Sequence, residues 1–301
     1  MSPARATLRG VGLVAAAAIL FVTIRDAASE VRTLPLRFDP GAMGLSVGLL
    51  VVTYLGLAAI WARLLRDLGV PVRFGAALQT WSFSNLGRYI PGKVWQIAGS
   101  AVVARDLGLP AGLSVVTTLL SLAAMIGTGA GLGLLLAADA LPRAAPRPAL
   151  AVVALAVAIL VLRPDFVRGT LVRLPKALGV SSVPPLRRTA MARLVGAHVL
   201  AWVGQGVSLA VLATTLGPIP AKEFLRFVGA YAFAHIAGLL ALFAPGGLGV
   251  REAVLAWLLG PSTLGGAHLL AVTSRFAAVV AEILVVGIAL AYRRRNPGGT
   301  A

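Results

Sequence analysis

The chain contains no cysteine, which excludes disulfides and thiolate metal sites. Its three histidines, His198, His235 and His268, lie far apart in sequence, so no metal site is expected. Charge is scarce, at 12% of 301 residues, and negative charge scarcer: ten Asp and Glu against 27 Lys and Arg. No long polar segment occurs that could form a soluble catalytic domain beside an apolar one. No GxxxxGK[ST] loop is present to cradle a nucleotide. What remains is 58% hydrophobic, with a mean hydropathy of +0.91. A soluble domain of this size could not hide that much apolar surface, so the composition predicts a polytopic membrane protein. The net charge of +17 sits in short loops between apolar runs. That distribution suits the positive-inside rule and anionic lipid head groups rather than nucleic acid.

Full spans are predicted near 8–24, 41–62, 111–137, 148–162, 191–213 and 267–291. The run 148–162 is short for roughly 30 Å of hydrocarbon and needs help from its flanks. Arg5 and Arg9 precede the first run, so a signal peptide with Ala27-Ala28-Ser29 as a poor cleavage region competes with a first helix. Two further runs, 74–104 and 224–260, are interrupted. The first carries GRYIPGKVW at 87–95 and the second PGGLGVREA at 245–253. Each places a Pro-Gly break and cations inside an apolar stretch. Such backbone is tolerated at membrane depth only where protein buries it or it lines a cavity, and ionisable groups there are read as functional.

The order is span, span, broken hairpin, span, and then the same again, with starts displaced by 140 to 156 positions. Loop charges set the orientation. Residues 25–40 are net zero, whereas residues 163–193 carry seven basic groups against Asp165, and the tail holds Arg293-Arg294-Arg295. Placing the basic loop and tail in the cytoplasm puts both termini there, with six crossings and two re-entrant hairpins. Three crossings per half invert one half relative to the other. The expected fold is therefore an all-α polytopic membrane protein: about six transmembrane helices plus two re-entrant broken hairpins in an inverted repeat. It forms a single membrane domain over 1–301, with repeat 1 near 1–140, repeat 2 near 141–295, and a short basic C-terminal tail.

Of the acidic residues only Glu252 and Glu282 are embedded, against Arg88, Lys93, Arg251 and Arg275. That excess of positive charge favours an anionic ligand such as a phosphate. Lys93 and Arg251 each follow a break, at the start of a half-helix whose free N–H groups and dipole also favour anions. Lys93, Gln96 and Ser100 share a helix face. The candidate substrate-binding set is Arg88, Lys93, Gln96, Arg251, Glu252, Arg275 and Glu282, with Pro91, Gly92, Pro245, Gly246, Gly247 and Gly249 forming the breaks. The bland alternative makes Arg251–Glu252 and Arg275–Glu282 bundle glue. Arg275 and Glu282 lie roughly 10 Å apart along one helix, too far to pair directly, which leaves Glu252 as the natural partner of Arg275. His198, Trp202 and Gln205 form a stripe whose simplest role is hydrogen bonding between helices. His235 reads as a packed, neutral imidazole. The basic loop 163–193 reads as a topological determinant, with a short interfacial helix around 166–178 as the other option.

Asn85-Leu86-Gly87-Arg88-Tyr89-Ile90-Pro91-Gly92-Lys93 and Pro245-Gly246-Gly247-Leu248-Gly249-Val250-Arg251-Glu252 carry a resemblance over nearly the whole chain. The chain resembles the flippase-like membrane domain found at the N-terminus of lysylphosphatidylglycerol synthases and, alone, near glycosyltransferases. The resemblance implies an integral membrane domain linked to translocation of anionic phospholipids, aminoacylated lipids or lipid-linked sugars. The soluble aminoacyl-transferase domain of those synthases is not expected here, because the chain ends at Ala301.

The leading expectation is a flippase-like protein of the cell membrane that moves an anionic phospholipid or polyprenyl-phosphate lipid, without a cofactor. Membrane lipids are the expected partners, together with a glycosyltransferase or lipid synthase. Its rival is a non-transporting membrane subunit that presents lipid to such an enzyme. A membrane transferase using Glu252 or Glu282 as base ranks last, because no paired acids, metal set or activated nucleophile accompany them. The chain is thus not expected to be an enzyme.

Overall fold

The computed structural model describes residues 3–33, 39–90, 95–140, 146–173, 180, 182–260, 263 and 265–295. These form helices with no strand among them. In the first half they are α1 (Pro3–Thr33), α2 (Pro40–Asp67), α3 (Phe74–Leu86), α4 (Trp95–Asp106) and α5 (Ala111–Leu136). In the second they are α6 (Pro146–Leu162), α7 (Pro164–Val172), α8 (Arg188–Ala213), α9 (Phe224–Leu240), α10 (Val250–Leu259) and α11 (Ala267–Arg295). Four are long and apolar enough to cross a membrane: α2, α5, α8 and α11. The chain is accordingly a multi-pass α-helical membrane protein. The segment α6 does not reach that length alone; it passes only together with α7, from which it is bent by 88° at Arg163-Pro164. The first helix runs well past the expected 8–24, through Arg25, Asp26 and Glu30.

The two interrupted runs fold as half-helices around breaks. A short 3-10 turn at Gly87–Tyr89 ends α3, and another at Pro245–Gly247 separates α9 from α10. Gly246, Gly247 and Gly249 all have positive φ, at 58°, 73° and 81°. A side chain with a Cβ is disfavoured there, which is why the second break is written in glycine. Pro91, Gly92 and Lys93, the centre of the first break, lie outside the described residues.

The polar composition of α3 is accommodated locally. Gln79 and Thr80 donate to the carbonyls of Gly75 and Ala76, and Ser84 to that of Trp81, so buried side chains are satisfied on their own helix. At another helix start, Asp39 Oδ1 accepts from the backbone of Gly41 and Ala42 while Pro40 takes the first helical position.

Neighbouring helices pack antiparallel. On α2 and α8, Ser46 Oγ lies 2.7 Å from Ser208 Oγ, and at the opposite ends Arg193 reaches Asp67 at 2.7 Å. Between these contacts the backbone of Gly204 abuts Thr53. Small residues permit the same closeness between α5 and α9, where Gly133 meets Phe233 and Gly229 meets Leu136. Between α3 and α11, Phe74 packs edge-on to Tyr292 with ring centroids 6.5 Å apart. The carboxylate of Glu30 on α1 reaches the start of α11. It accepts from His268 Nδ1 at 2.8 Å and from the Leu269 backbone at 2.7 Å, satisfying free N–H groups at the positive end of that helix dipole.

Candidate functional site: a cationic pocket between two helix breaks

The two breaks touch. The ring of Tyr89 lies against Gly246, so closely that a Cβ on Gly246 would come within 2.9 Å of it. Around this contact Arg88, Arg251 and Arg275 line one cavity of about 40 Å³, together with Gln96, His235, Leu239 and Gly246. Each arginine arrives on a different element: the turn that ends α3, the first turn of α10, and α11.

Their immediate surroundings differ. Arg88 donates to Glu282 Oε1, and Tyr89 Oη donates to the other oxygen of that carboxylate at 2.8 Å. Arg275 sends one N–H to the Gly246 carbonyl at 3.2 Å, while its Nε lies 3.7 Å from Glu252 Oε1. Both guanidinium groups also lie 5.4 Å from the Tyr89 ring centroid, within cation–π range. Arg251 meets no carboxylate in a salt bridge among the described residues. It stacks 4.6 Å from the Tyr231 centroid, is 5% exposed, and leaves one terminal N–H group without a hydrogen-bond partner among the described residues.

Glu252, 2% exposed, has a structural task beside its electrostatic one. Its Oε2 accepts from the Gly249 backbone at 2.7 Å, closing the first turn of α10 from its third position. The pocket is thus three arginines facing two glutamates, with buried donor capacity left on Arg88 Nε, Arg251 and Arg275 Nε. A buried N–H aimed at a polar cavity without a partner is the feature that a bound anion satisfies.

A second, larger cavity of about 80 Å³ shares Arg88, Gln96 and His235 with the first. Its wall includes Tyr54, Trp81, Ser121, His198, Trp202, Gln205 and Glu282. Gln96, which lines both cavities, donates to Asn85 Oδ1 at 2.6 Å.

Of the sequence-predicted set, Arg88, Gln96, Arg251 and Arg275 line the small cavity. Glu252 and Glu282 contact its arginines. Gly246 lies in the cavity wall, Gly247 packs on the Gly238 backbone, Pro245 begins the turn and Gly249 caps α10. Lys93, Pro91 and Gly92 lie outside the described residues. Ser100 faces neither cavity; it is fully buried and bonds its hydroxyl to the Ile97 carbonyl. The bland pairing of Arg275 with Glu282 does not occur, because Glu282 belongs to Arg88 and Tyr89. His198, Trp202 and Gln205 all line the larger cavity; Trp202 makes the expected bond between helices, to Thr128 on α5, whereas His198 and Gln205 bond back to the Leu194 and Ala201 carbonyls of α8 itself. Tyr89, Tyr231 and Asn85 escaped the sequence reading as site residues. Tyr89 could have been found from its place between Arg88 and Pro91, whereas Tyr231 carries no local signal. No protein-family model matches the chain, and no curated protein matches it.

Proposed function

We propose that this protein is a flippase-like membrane protein that carries the phosphate of an anionic phospholipid or polyprenyl-phosphate lipid across the bilayer. The observation that carries the reading is the junction of Arg88, Arg251 and Arg275 in one cavity at two touching helix breaks. Half-helix ends with free backbone groups, placed at the interface of repeats, are how transporters build anion sites inside a membrane. In the proposed topology six segments cross, α3–α4 and α9–α10 re-enter, and both termini are cytoplasmic in the cell membrane.

An inverted repeat is supported by the pattern of neighbours. Exchanging the halves turns α5–α6 into α11–α1, α4–α5 into α10–α11, and α5–α9 into α11–α3, and all of these pairs are in contact. The equivalent helices α2 and α8 run antiparallel, as inversion requires.

Arg251, which lines the cavity and keeps one buried N–H group without a hydrogen-bond partner among the described residues, would be the first anchor for the phosphate. Arg88 and Arg275, already balanced by Glu282 and Glu252, would complete the shell as those contacts rearrange. The test is lipid translocation in proteoliposomes over a panel of anionic lipids. Movement that Arg251→Gln abolishes is the expected result. A folded protein that moves none of them would favour the non-transporting subunit.

A further inference from the structure

A guanidinium inside a protein is ordinarily held by a carboxylate, which occupies its N–H donors and cancels its charge. Arg88 and Arg275 follow that pattern, through Glu282 and Glu252. Arg251 does not. It is buried where the other two are partly exposed, and what faces its guanidinium is the ring of Tyr231, itself buried.

One side of α9 builds this arrangement. Tyr231, His235 and Gly238 recur at i, i+4 and i+7, and so share a helix face. At Gly238 the two helices approach so closely that an added Cβ would come within 2.9 Å of Arg251 Cβ. The missing side chain lets the first turn of α10 lie against α9. The root of the arginine therefore sits on Gly238, and its head sits on Tyr231 two turns earlier. His235, between them, lines the same small cavity as Arg251.

A ring face and a carboxylate stabilise a cation differently. The ring quadrupole offers negative potential without formal charge, and it leaves the N–H groups free. A cation held this way keeps its charge and its donors for a third group. One terminal nitrogen of Arg251 is buried with no hydrogen-bond partner among the described residues. Glu252 Oε1 also lacks a hydrogen-bond partner among them, its other oxygen being committed to the Gly249 backbone. Without the ring, the guanidinium would be drawn to that free oxygen, and its donors would be lost to the cavity. The Tyr231 hydroxyl takes no part, being buried with no hydrogen-bond partner among the described residues.

Resting on the transport reading above, we infer that Tyr231 is a positioning residue of the anion site. Its ring face holds Arg251 charged and unneutralised, with donors available to a phosphate. The phosphate chemistry is the same whether the group is free or borne by a lipid.

The full chain in detergent is titrated with inorganic phosphate and, separately, with a short-chain phosphatidic acid, which distinguishes the two sources. Arg251→Gln should abolish binding of whichever probe the parent takes. Tyr231→Phe should bind within about twofold of the parent, because the ring remains. Phenylalanines bearing successively more ring fluorines, placed at the same position by suppression, keep the shape but have a progressively less negative face. Affinity should fall step by step, to about tenfold below Tyr231→Phe for the most fluorinated ring. The melting temperature should barely change along the series, since the guanidinium then turns to Glu252. A flat series, beside an Arg251→Gln variant that has lost binding, overturns the inference and leaves the transport reading intact. A series that loses melting temperature in proportion to affinity also overturns it, because the ring is then structural support only. A parent that binds neither probe, or an Arg251→Gln variant that binds like the parent, rejects the anion site and the inference together.

Discussion

Arg88 and Glu282 form an ion pair across 194 positions of sequence, joining the turn at the end of α3 to the middle of α11. With Tyr89 on the second oxygen, Glu282 fixes one lip of the cationic pocket to a long helix that also supplies Arg275. The pair ties the first break to the opposite half of the molecule. Removing either charge alone strands the other in a part-buried site.

Arg88→Gln and Glu282→Gln should therefore each lower stability in detergent, by about 1–3 kcal/mol. That is less than the roughly 3–5 kcal/mol of a fully buried pair, because part of each side chain remains exposed. The double variant should regain part of the loss. Thermal melts of the four proteins, combined as a double-mutant cycle, measure the coupling.

Arg251 and Glu252 are neighbours that should separate cleanly. Arg251→Gln should remove most lipid movement with a small change in melting temperature, since no salt bridge is broken among the described residues. Glu252→Gln weakens the closure of α10 at Gly249 and strips Arg275 of its counter-charge. It should cost more stability, about 2–4 kcal/mol. Equal melting losses in the two variants would show that Arg251 is structural.

The antiparallel contact of α2 and α8 can be trapped. The chain has no native cysteine, so Ser46→Cys with Ser208→Cys adds the only pair, at positions whose hydroxyl oxygens are 2.7 Å apart. Oxidation should form an intramolecular disulfide, read as a mobility shift that reductant reverses. Absence of the bond in a folded protein would contradict the packing.

Helix approach at Gly206 admits no Cβ, which would come within 2.5 Å of the Val228 backbone. Gly206→Ala should destabilise by about 1–3 kcal/mol through forced separation of α8 and α9. Gly169→Ala, where nothing lies within 4 Å, is the control and should melt like the parent.

Topology is tested by labelling. Single cysteines at Arg173 and Ala301 should react with an impermeant reagent only from the cytoplasm, and one at Leu34 only from outside. Arg173 and Leu34 reacting from the same side would end the inverted-repeat proposal.

Much of this was legible in one dimension. Hydropathy marked the four long apolar helices, because a helix in hydrocarbon must be apolar along its whole length. The Pro-Gly breaks were visible because proline and glycine act on the local backbone, and the positive φ values in 245–249 are local too. The partnership of Arg275 with Glu252 could be approached by elimination, since α-helix rise alone keeps Arg275 from Glu282. Tertiary structure decided the rest. Arg88 meets Glu282 because α3 packs on α11, Arg251 rests on Tyr231 because α10 folds back on α9, and three arginines share a cavity because the two breaks touch. Such contacts depend on where side chains from distant segments converge. Helical periodicity specifies which face a residue occupies, and only packing specifies what that face meets.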